Sequence, residues 1–408
     1  MPQFSIIIPV FNKWELTRDC LASLREHGSG PSFEVIVIDN GSTDATATEL
    51  RPYGKSLFDD RFHSIVLPEN KNFGPACNIG AKAAKSPVLF FLNNDTLVTP
   101  GWAEPLLNAL LEDESLGAVG PLLLYPNDTV QHLGVAFGAV GPVHLYCGFP
   151  KDHPVVYAKR DLQAMTGAAL MIRAELFQAC GEFFEEYRNG FEDLELCHQI
   201  RKQRKTLRCI PESKIYHLES QTPNRKEGDE RNGRLFTHRC AGKIYIDQHT
   251  HALNDNFEPF ITDLLSIGVR MRHEDELALA MVANNKSGET WLHLITQNPL
   301  WINGREILAG TLENSEDFAE AIAFYIQLLN IEPLRHRFQK LLSLAPFAGE
   351  NAPWLPYVQD SLHHIDTYMI SKTFAEKSVR QILGKFMPCR DAFLQNAYAE
   401  KLKQFFPA

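Results

Sequence analysis

An apolar run that ends abruptly in polar residues is the part of this sequence that most clearly predicts a binding site. Residues 88–92 read Val-Leu-Phe-Phe-Leu and are followed directly by Asn93, Asn94 and Asp95. Such a run is typical of a buried parallel strand, and ligands of open α/β sheets bind just beyond the carboxyl ends of the strands. Because Mg²⁺ and Mn²⁺ prefer oxygen ligands completed by phosphates, these residues predict a metal and nucleotide-diphosphate site. The same triplet is also common in a simple turn.

Two carboxylates at the start of a predicted helix are the second chemical candidate. Glu192 and Asp193 precede Leu194, Cys197 and Ile200, whose spacing is helical. The helix dipole stabilises negative charge at this end by ~0.3–1 kcal/mol per group. A carboxylate held there could act as a general base that takes the proton of an incoming hydroxyl group. Plain capping of the helix is the alternative interpretation.

A histidine at the end of a short apolar run, followed by a charged segment, is the third candidate. His217 lies in the run 214–218, where an imidazole could ligate a metal or be purely structural. Residues 219–239 are polar and charged, and their composition predicts a mobile loop. Such a loop could act as a lid over a diphosphate, with Arg239 among the cations that neutralise the phosphates. A solvated linker is the alternative.

The elements between these candidates alternate between strand and helix from residue 3 to about residue 125. This alternation predicts a doubly wound α/β sheet whose strand ends carry the polar residues. The further predicted strands are residues 4–9, 34–39 and 64–67. Helical spacing of Leu16, Cys20 and Leu24 predicts one helix, and residues 75–85 are predicted to form another.

Composition and charge restrict the class of protein. A chain of 408 residues with 44% hydrophobic and 22% charged residues is typical of a globular protein with two or three domains. No apolar run approaches the ~20 residues that span a bilayer, and no signal peptide is predicted. The eight cysteines form no C-x-x-C pair, which favours reduced thiols in the cytoplasm over a structural zinc site. The net charge of −10 argues against a nucleic-acid partner.

Seven motifs in order make residues 3 to about 250 resemble the family 2 glycosyltransferases of the GT-A fold. Each motif is short, but their joint order over this length is specific, and the resemblance extends to the bacterial rhamnosyltransferase-like subgroup that builds surface polysaccharides and modifies proteins. The motifs are Ile-Ile-Pro-Val-Phe-Asn (7–12), Val-Ile-Asp-Asn-Gly-Ser-Thr-Asp (37–44), Asn-Phe-Gly-Pro-Ala-Cys-Asn-Ile-Gly (72–80), Phe-Leu-Asn-Asn-Asp (91–95), Thr-Gly-Ala-Ala-Leu-Met-Ile-Arg (166–173), Phe-Glu-Asp-Leu-Glu-Leu (191–196) and Tyr-His-Leu (216–218).

The resemblance implies a role for individual positions. It implies a catalytic base at Asp193, with Glu192 orienting the acceptor, and an Mn²⁺ or Mg²⁺ ion held by Asp95 and His217. The first Asp of the family's Asp-x-Asp motif is Asn93 here, so one charged ligand is missing and metal binding should depend on bound nucleotide. The residues implied for the nucleotide sugar are Pro9, Val10, Phe11, Asn12, Asp39, Ser42, Asn72, Gly74, Asn78, Asn93, Asn94 and Gly167.

The implied reaction is a single inverting displacement from a UDP- or dTDP-sugar to a hydroxyl of a saccharide or protein-linked acceptor. The expected setting is bacterial surface glycan or glycoprotein synthesis in the cytoplasm, and association with the inner face of the membrane stays open. Two alternatives are a sugar nucleotidyltransferase and a non-catalytic scaffold that binds sugar nucleotides. A Rossmann dehydrogenase is disfavoured because no Gly-x-Gly-x-x-Gly follows the first strand.

The C-terminal region has a different pattern. We expect a catalytic domain over residues 1–250 and an all-α domain over residues 251–408, because strand-like runs give way to helical periodicity. Residues 304–312 and 318–329 form two amphipathic stretches that predict either one tetratricopeptide-like unit or a plain helical hairpin. Stacked helices of this kind could bind an acceptor or partner, or join two copies of the chain, or simply cover the catalytic domain.

Overall fold

Short runs of branched and aromatic residues form the strands of this protein, and amphipathic segments form its helices. The computed structural model describes residues 2–218, 229–240, 242–284, 288–349, 352–385 and 391–407. The strands are β1 (Phe4–Val10), β2 (Phe33–Asp39), β3 (Phe62–Val66), β4 (Val88–Leu92), β5 (Thr96–Val98), β6 (Leu116–Leu124), β7 (Val130–His132), β8 (Val135–Phe137), β9 (Pro142–His144), β10 (Ala169–Arg173), β11 (Thr206–His217), β12 (Glu258–Ile261) and β13 (Ile267–Arg270). The helices are α1 (Trp14–Glu26), α2 (Thr46–Phe58), α3 (Phe73–Ala83), α4 (Ala103–Glu112), α5 (Ala174–Ala179), α6 (Glu192–Lys202), α7 (Asp229–Arg239), α8 (Gln248–Asn254), α9 (His273–Ala283), α10 (Gly288–Gln297), α11 (Ile302–Asn314), α12 (Phe318–Ile331), α13 (Arg335–Ser343), α14 (Leu355–Ile370), α15 (Lys372–Gly384) and α16 (Ala392–Phe405).

The main sheet has the strand order β3-β2-β1-β4-β10-β6-β11-β5, with β7 paired to β6. Strands β1 to β4 pair in parallel, as the alternation of strands and helices predicted. Strand β10 is antiparallel to both β4 and β6, and β5 is antiparallel to β11. The sheet is therefore more mixed than the mostly parallel sheet that the sequence predicted. Because β10 runs the opposite way, its N-terminal end lies at the same edge as the carboxyl ends of β1 and β4.

Helices cover both faces of this sheet. On one face Phe4 and Phe90 pack in a buried cluster with Trp102, whose ring centroid lies 5.9 Å from that of Phe4. On the other face Ile36 and Ala76 belong to a second buried cluster. Strands covered on both faces need apolar residues at every position, which explains the continuous apolar runs in the sequence.

The chain divides into two compact units whose boundaries differ from the predicted ones. The first unit comprises the described parts of residues 1–136 and 144–241, and the second comprises residues 137–143 together with the described parts of 242–408. The second unit is helical from α9 onward, as predicted, and α11 packs against α12. A two-stranded antiparallel pair, β12 with β13, lies between residues 258 and 270, where the sequence analysis expected no strand. No helix of the described residues is long and apolar enough to cross a membrane.

The segment predicted as a mobile loop, residues 219–239, is helical in its second half. Residues 229–239 form α7, and residues 219–228 lie outside the described residues. The high charge of this segment suggested a loop, but the buried face of α7 is supplied by Asn232 and Phe236, which are too few to give a visible periodic pattern.

Candidate active site

One cleft lies at the carboxyl edge of the parallel strands, where the sequence analysis expected a binding site. The ends of β1, β2 and β4 reach it from one side, and the N-terminal ends of β10 and α6 from the other. The backbone N–H of Asn93 donates to the carbonyl of Ala168 at 2.8 Å, which joins the two sides. The cleft is lined by Pro9, Val10, Phe11, Asn40, Asn70, Phe73, Asn93, Asn94, Asp95, Thr166, Gly167, Ala168, Asn189, Gly190, Glu192 and Asp193.

Three of the residues predicted to bind the nucleotide form the wall behind the end of β1. The Asn12 backbone N–H donates to Ser42 Oγ at 2.8 Å, and the Ser42 N–H donates to Asp39 Oδ1 at 2.9 Å. Asn12 Oδ1 also accepts from the Thr43 N–H at 2.8 Å. These bonds fix the loops after β1 and β2 against each other. Pro9, Val10 and the half-exposed Phe11 therefore face the cleft from a stabilised wall.

Two asparagines that the sequence analysis missed complete the same side of the cleft. Asn40 Nδ2 donates to Asn70 Oδ1 at 3.0 Å and to the carbonyl of Asn72 at 3.1 Å. Asn40 Oδ1 accepts from the Lys71 N–H at 2.8 Å. Asn40 directly follows β2, so the strand-end signal that singled out Asn93 could have identified it. Asn70 has no comparable signal, because it lies in a loop.

The predicted metal ligands Asp95 and His217 lie beside each other. Gln131 Nε2 donates to the His217 carbonyl at 2.9 Å, and Gln131 Oε1 therefore faces the His217 ring at Nδ1, 2.6 Å away. An amide oxygen only accepts, so Nδ1 carries a proton. The other ring nitrogen, Nε2, lies 3.1 Å from Asp95 Oδ1 and 3.3 Å from Asn93 Nδ2.

This arrangement fits a divalent cation completed by a ligand. Across the described residues, no group of three or more His, Cys, Asp or Glu side chains could hold a metal on its own. Asp95 Oδ1 and His217 Nε2 are nevertheless 3.1 Å apart, close to the ~3 Å between adjacent ligands of an octahedral Mg²⁺ with bonds of about 2.1 Å. Phosphate oxygens would have to supply the other ligands.

The predicted base Asp193 also lines the cleft and lies in the first turn of α6. Its Oδ2 accepts from the Gly167 N–H at 2.8 Å, and its Oδ1 accepts from the Leu194 N–H at 2.8 Å. A Cβ atom at residue 167 would lie 3.1 Å from the Asp193 Cβ, so glycine permits this close approach. Glu192 is buried, and its Oε2 accepts from the Gly190 N–H at 2.7 Å. Glu192 thus stabilises the loop before α6, whereas Asp193 lies in the more open part of the cleft.

Several other predicted residues lie outside the cleft lining. Asn78 is buried, and its amide donates to the Phe183 carbonyl at 2.9 Å. A Cβ atom at Gly74 would lie 3.3 Å from the Phe183 Cβ, so that glycine allows α3 to pack closely. Arg239 forms an ion pair with Glu195 at 2.6 Å. The cleft residues that were not predicted, besides Asn40 and Asn70, are Phe73, Thr166, Ala168, Asn189 and Gly190.

Three cysteines near the cleft are buried. Burial raises the pKa of Cys20 and of Cys197 to about 12, and the charges of Asp95 and Asp193 add to this effect. Burial also raises the pKa of Cys77 well above 9.0, with a contribution from Glu192. A raised pKa disfavours the thiolate, which is the nucleophilic form of cysteine.

Comparison with known proteins finds a glycosyltransferase family and relatives named for glycan synthesis and sugar transfer. Residues 5–173 match the family described as glycosyl transferase family 2. The O-antigen biosynthesis protein RfbC of Myxococcus xanthus is 31% identical over 226 residues, which are 54% of this chain and 17% of that protein. The validoxylamine A glucosyltransferase of Streptomyces hygroscopicus subsp. limoneus is 34% identical over 113 residues, 27% of this chain and 24% of that protein. This chain thus spans less than a quarter of either relative.

Among solved structures, the mannosyltransferase PcManGT of Pyrobaculum calidifontis, in complex with GDP-Man and Mn²⁺, aligns with a TM-score of 0.43 and 16% identity. The alignment covers 98% of this chain and 87% of that one.

Proposed function

Since the N-terminal part of this chain is a glycosyl transferase family 2 domain, we propose that the chain transfers a sugar from a nucleoside diphosphate to an acceptor hydroxyl with inversion at the anomeric carbon. One observation carries the proposal: Asp95 and Asp193 line the same cleft. An inverting displacement needs both a site for the diphosphate and a base for the acceptor around one sugar, because the diphosphate leaves from one face of the sugar while the acceptor attacks the other.

The nucleotide occupies the side of the cleft formed by the ends of β1 and β2. Pro9, Val10 and Phe11 offer apolar surface to a base and ribose, and Phe11 has 44% of its surface exposed. The amides of Asn40 and Asn70 offer polar atoms at the same wall. This combination of an apolar surface with a few fixed polar groups is typical of a nucleotide pocket.

The diphosphate lies next to Asp95 and His217. These two residues would hold Mn²⁺ or Mg²⁺, and when bound the ion neutralises the negative charge that develops on the departing diphosphate. The protein's own contribution is the fixed orientation of His217, which the hydrogen bonds of Gln131 to both the ring and the backbone maintain. Asn93 Nδ2 lies 3.3 Å from His217 Nε2 and restricts the same ring from another direction.

Asp193 acts as the general base. Its carboxylate accepts the proton of the acceptor hydroxyl while that oxygen forms a bond to the anomeric carbon and the bond from that carbon to the diphosphate breaks. The Gly167 N–H fixes the carboxylate at 2.8 Å, so the base needs little reorganisation during the reaction. Glu192, which bonds to Gly190, keeps the loop before α6 in place beside the acceptor.

The donor is a UDP- or dTDP-sugar, and the acceptor is a saccharide or a protein-linked glycan of the bacterial surface, made in the cytoplasm or at the inner face of the membrane. The helical second unit serves the acceptor or a partner, or joins two copies of the chain. The name of the O-antigen biosynthesis relative supports a surface-glycan role.

A hydrolysis screen tests this function. The full chain is incubated with Mn²⁺ and a panel of UDP-, dTDP- and GDP-sugars, and release of the nucleoside diphosphate is measured. We expect one donor class to be hydrolysed, with little release from the others. Binding of sugar nucleotides without hydrolysis or transfer would favour a non-catalytic scaffold, and release of pyrophosphate from a nucleoside triphosphate and a sugar phosphate would favour a nucleotidyltransferase.

A further inference from the structure

The backbone just before α6 has an unusual conformation. Three successive residues have positive φ angles: Asn189 at 50°, Gly190 at 148° and Phe191 at 76°. A bulky residue such as Phe191 seldom adopts a positive φ, and each such non-glycine residue costs on the order of 1 kcal/mol or more. Because this conformation is costly, contacts from elsewhere must hold the loop, residues 188–191, in place. Asn189 and Gly190 of this loop line the cleft, and Asp193 follows two residues after Phe191.

Three of these contacts come from Asn232, the fourth residue of α7. Its side chain is fully buried. Asn232 Nδ2 donates to the carbonyls of Arg188 and Gly190, both at 3.0 Å, and Asn232 Oδ1 accepts from the Arg188 N–H at 3.3 Å. Burial of an amide is costly unless its groups are bonded, and here both ends of the amide are used on the loop. An apolar side chain would pack at this position but could not satisfy the loop's carbonyls.

The rest of α7 contacts the same region on both sides of Asn232. The ring of Phe236 packs against that of Phe191 with 5.5 Å between centroids. Arg239 binds Glu195 of α6 through two nitrogens at 2.6 to 2.8 Å, and this interaction raises the pKa of Arg239. Glu195 also accepts from the hydroxyl of Tyr187 at 2.7 Å. Helix α7 thus contacts both the loop before Asp193 and, through Glu195, the first turn of α6 after it.

We propose that Asn232 is a positioning residue: it holds the strained loop 188–191, and through it Asp193, in the geometry that proton transfer from the acceptor requires. The proposal rests on the proposed function for its catalytic consequence, but its structural part is independent of it. Asn232 touches the backbone of the loop and lies outside the cleft lining, so its effect on the reaction is indirect.

The test compares Asn232→Asp and Asn232→Ala with Arg234→Ala in the full chain. The aspartate has the same shape as asparagine but replaces the two N–H groups with an oxygen that repels the carbonyls of Arg188 and Gly190. Arg234 lies on the same helix, where it forms an exposed ion pair with Glu230, and serves as the matched control. Thermal unfolding of each variant is measured first, and whichever Asn232 variant is folded at the assay temperature is used.

The first measurement is amide hydrogen exchange over residues 186–194. We expect exchange to accelerate about tenfold or more in the Asn232 variants, with the Arg234→Ala protein matching the wild type. The second is steady-state hydrolysis of the donor found in the nucleotide-sugar screen. We expect kcat to fall about tenfold or more with the donor KM within about twofold, since a small misplacement of a reacting group has large effects on rate.

Unchanged exchange in a folded Asn232→Asp protein would overturn the proposal, and so would faster exchange with an unaltered kcat. If the wild type hydrolyses no nucleotide sugar, the proposed function fails. The exchange experiment then decides by itself whether Asn232 holds the loop.

Discussion

At the residue scale, the proposed metal site depends on how Asp95 and His217 face each other. The Gln131 amide orients the His217 ring, and His217 Nε2 lies 3.1 Å from Asp95 Oδ1. A divalent cation bound here would use one ligand atom from each residue. Loss of either side chain should therefore weaken metal binding.

This geometry predicts how a substitution at Asp95 affects nucleotide binding. Removal of the carboxylate leaves His217 as one ligand, too few for a hard cation. We expect Mn²⁺ to tighten binding of the competent nucleoside diphosphate to the wild type but not to Asp95→Ala, as measured by titration calorimetry. The exposed Asp60→Asn variant is the control. Equal Mn²⁺ enhancement in Asp95→Ala and wild type would rule out this metal site.

A second buried histidine links stability to pH. Burial, together with the charges of His144 and His217, lowers the pKa of His132 well below its ordinary value of 6.5. Its Nδ1 lies 2.9 Å from His144 Nδ1, and its Nε2 accepts from the Thr166 N–H at 3.4 Å. The unfolded chain therefore takes up a proton at this residue more readily than the folded chain does.

The sign of the pH effect follows from this difference. The contribution of neutral His132 to the free energy of unfolding is complete above pH 6.5. It is lost as the pH falls from 6.5 toward the lower pKa of His132 in the folded chain, by up to about 1.4 kcal/mol per pH unit. We expect the melting temperature of His132→Asn to fall less steeply than that of wild type between pH 6.5 and 5. The exposed His364→Asn serves as control. If the melting temperatures of wild type and His132→Asn fell in parallel with pH, His132 would not be a source of the pH dependence.

Individual residues differed in how well the sequence revealed them. Asp95 closely follows the end of a strand, and Asp193 lies in the first turn of a helix. Short local patterns were therefore enough to single them out. Asn189 and Thr166 lie in loops whose direction depends on the antiparallel course of β10 and on the positive φ angles before α6. Neither property has a clear local signature, because both are set by packing between distant segments.

At the element scale, one glycine sets the distance between α3 and the sheet. A Cβ atom at Gly80 would lie 2.5 Å from Ile7 Cγ2 of β1 and 3.3 Å from Ile38 Cδ1 of β2. Helix α3 begins at Phe73, which lines the cleft, so its close packing also positions the cleft wall. The strands themselves were predictable as continuous apolar runs, whereas α7 was not, because its contacts are few and largely polar.

This packing predicts opposite effects for two glycine-to-alanine substitutions. Gly80→Ala should destabilise the protein by about 1–3 kcal/mol, because overpacking outweighs the gain of up to about 1 kcal/mol in helix propensity. Gly310→Ala in α11 should stabilise by about 0.5–1 kcal/mol, since no described atom beyond its chain neighbours and the nearby backbone of its own helix lies within 4 Å of the added Cβ. Thermal unfolding followed by circular dichroism compares the two. A higher melting temperature for Gly80→Ala would contradict this account of α3.

At the scale of the whole molecule, residues 137–143 come from the middle of the N-terminal half but belong to the second unit. The Phe137 N–H donates to Asp247 Oδ1 at 2.7 Å, and the Asp247 N–H donates to the Phe137 carbonyl at 3.0 Å. Ala139 lies in a buried cluster with Leu394 and Tyr398. A local sequence pattern cannot reveal that a short segment of the N-terminal half belongs to the second unit. The sequence analysis therefore placed a single boundary at residue 250.

A truncated chain tests this organisation. A fragment ending at residue 250 lacks the helices that bury Ala139, so we expect it to unfold at a lower temperature than the full chain and to aggregate. Full-length Asp247→Ala, which removes the side-chain contacts to Phe137 and His251 but keeps the second unit, should have a smaller effect. Circular dichroism and light scattering give the comparison. A monomeric fragment as stable as the full chain would show that residues 137–143 do not need the second unit.

A steady-state comparison of wild type with Asp193→Asn tests whether Asp193 is the base of a glycosyltransferase. Asparagine keeps the size of the side chain and can still accept from the Gly167 N–H, but it cannot take the acceptor's proton. With one competent donor and acceptor, we expect a kcat lower by ~10²–10⁴ and an unchanged donor KM. The Asp60→Asn control should match the wild type. Equal kcat values for Asp193→Asn and wild type would rule out Asp193 as the base and make Glu192 the next candidate.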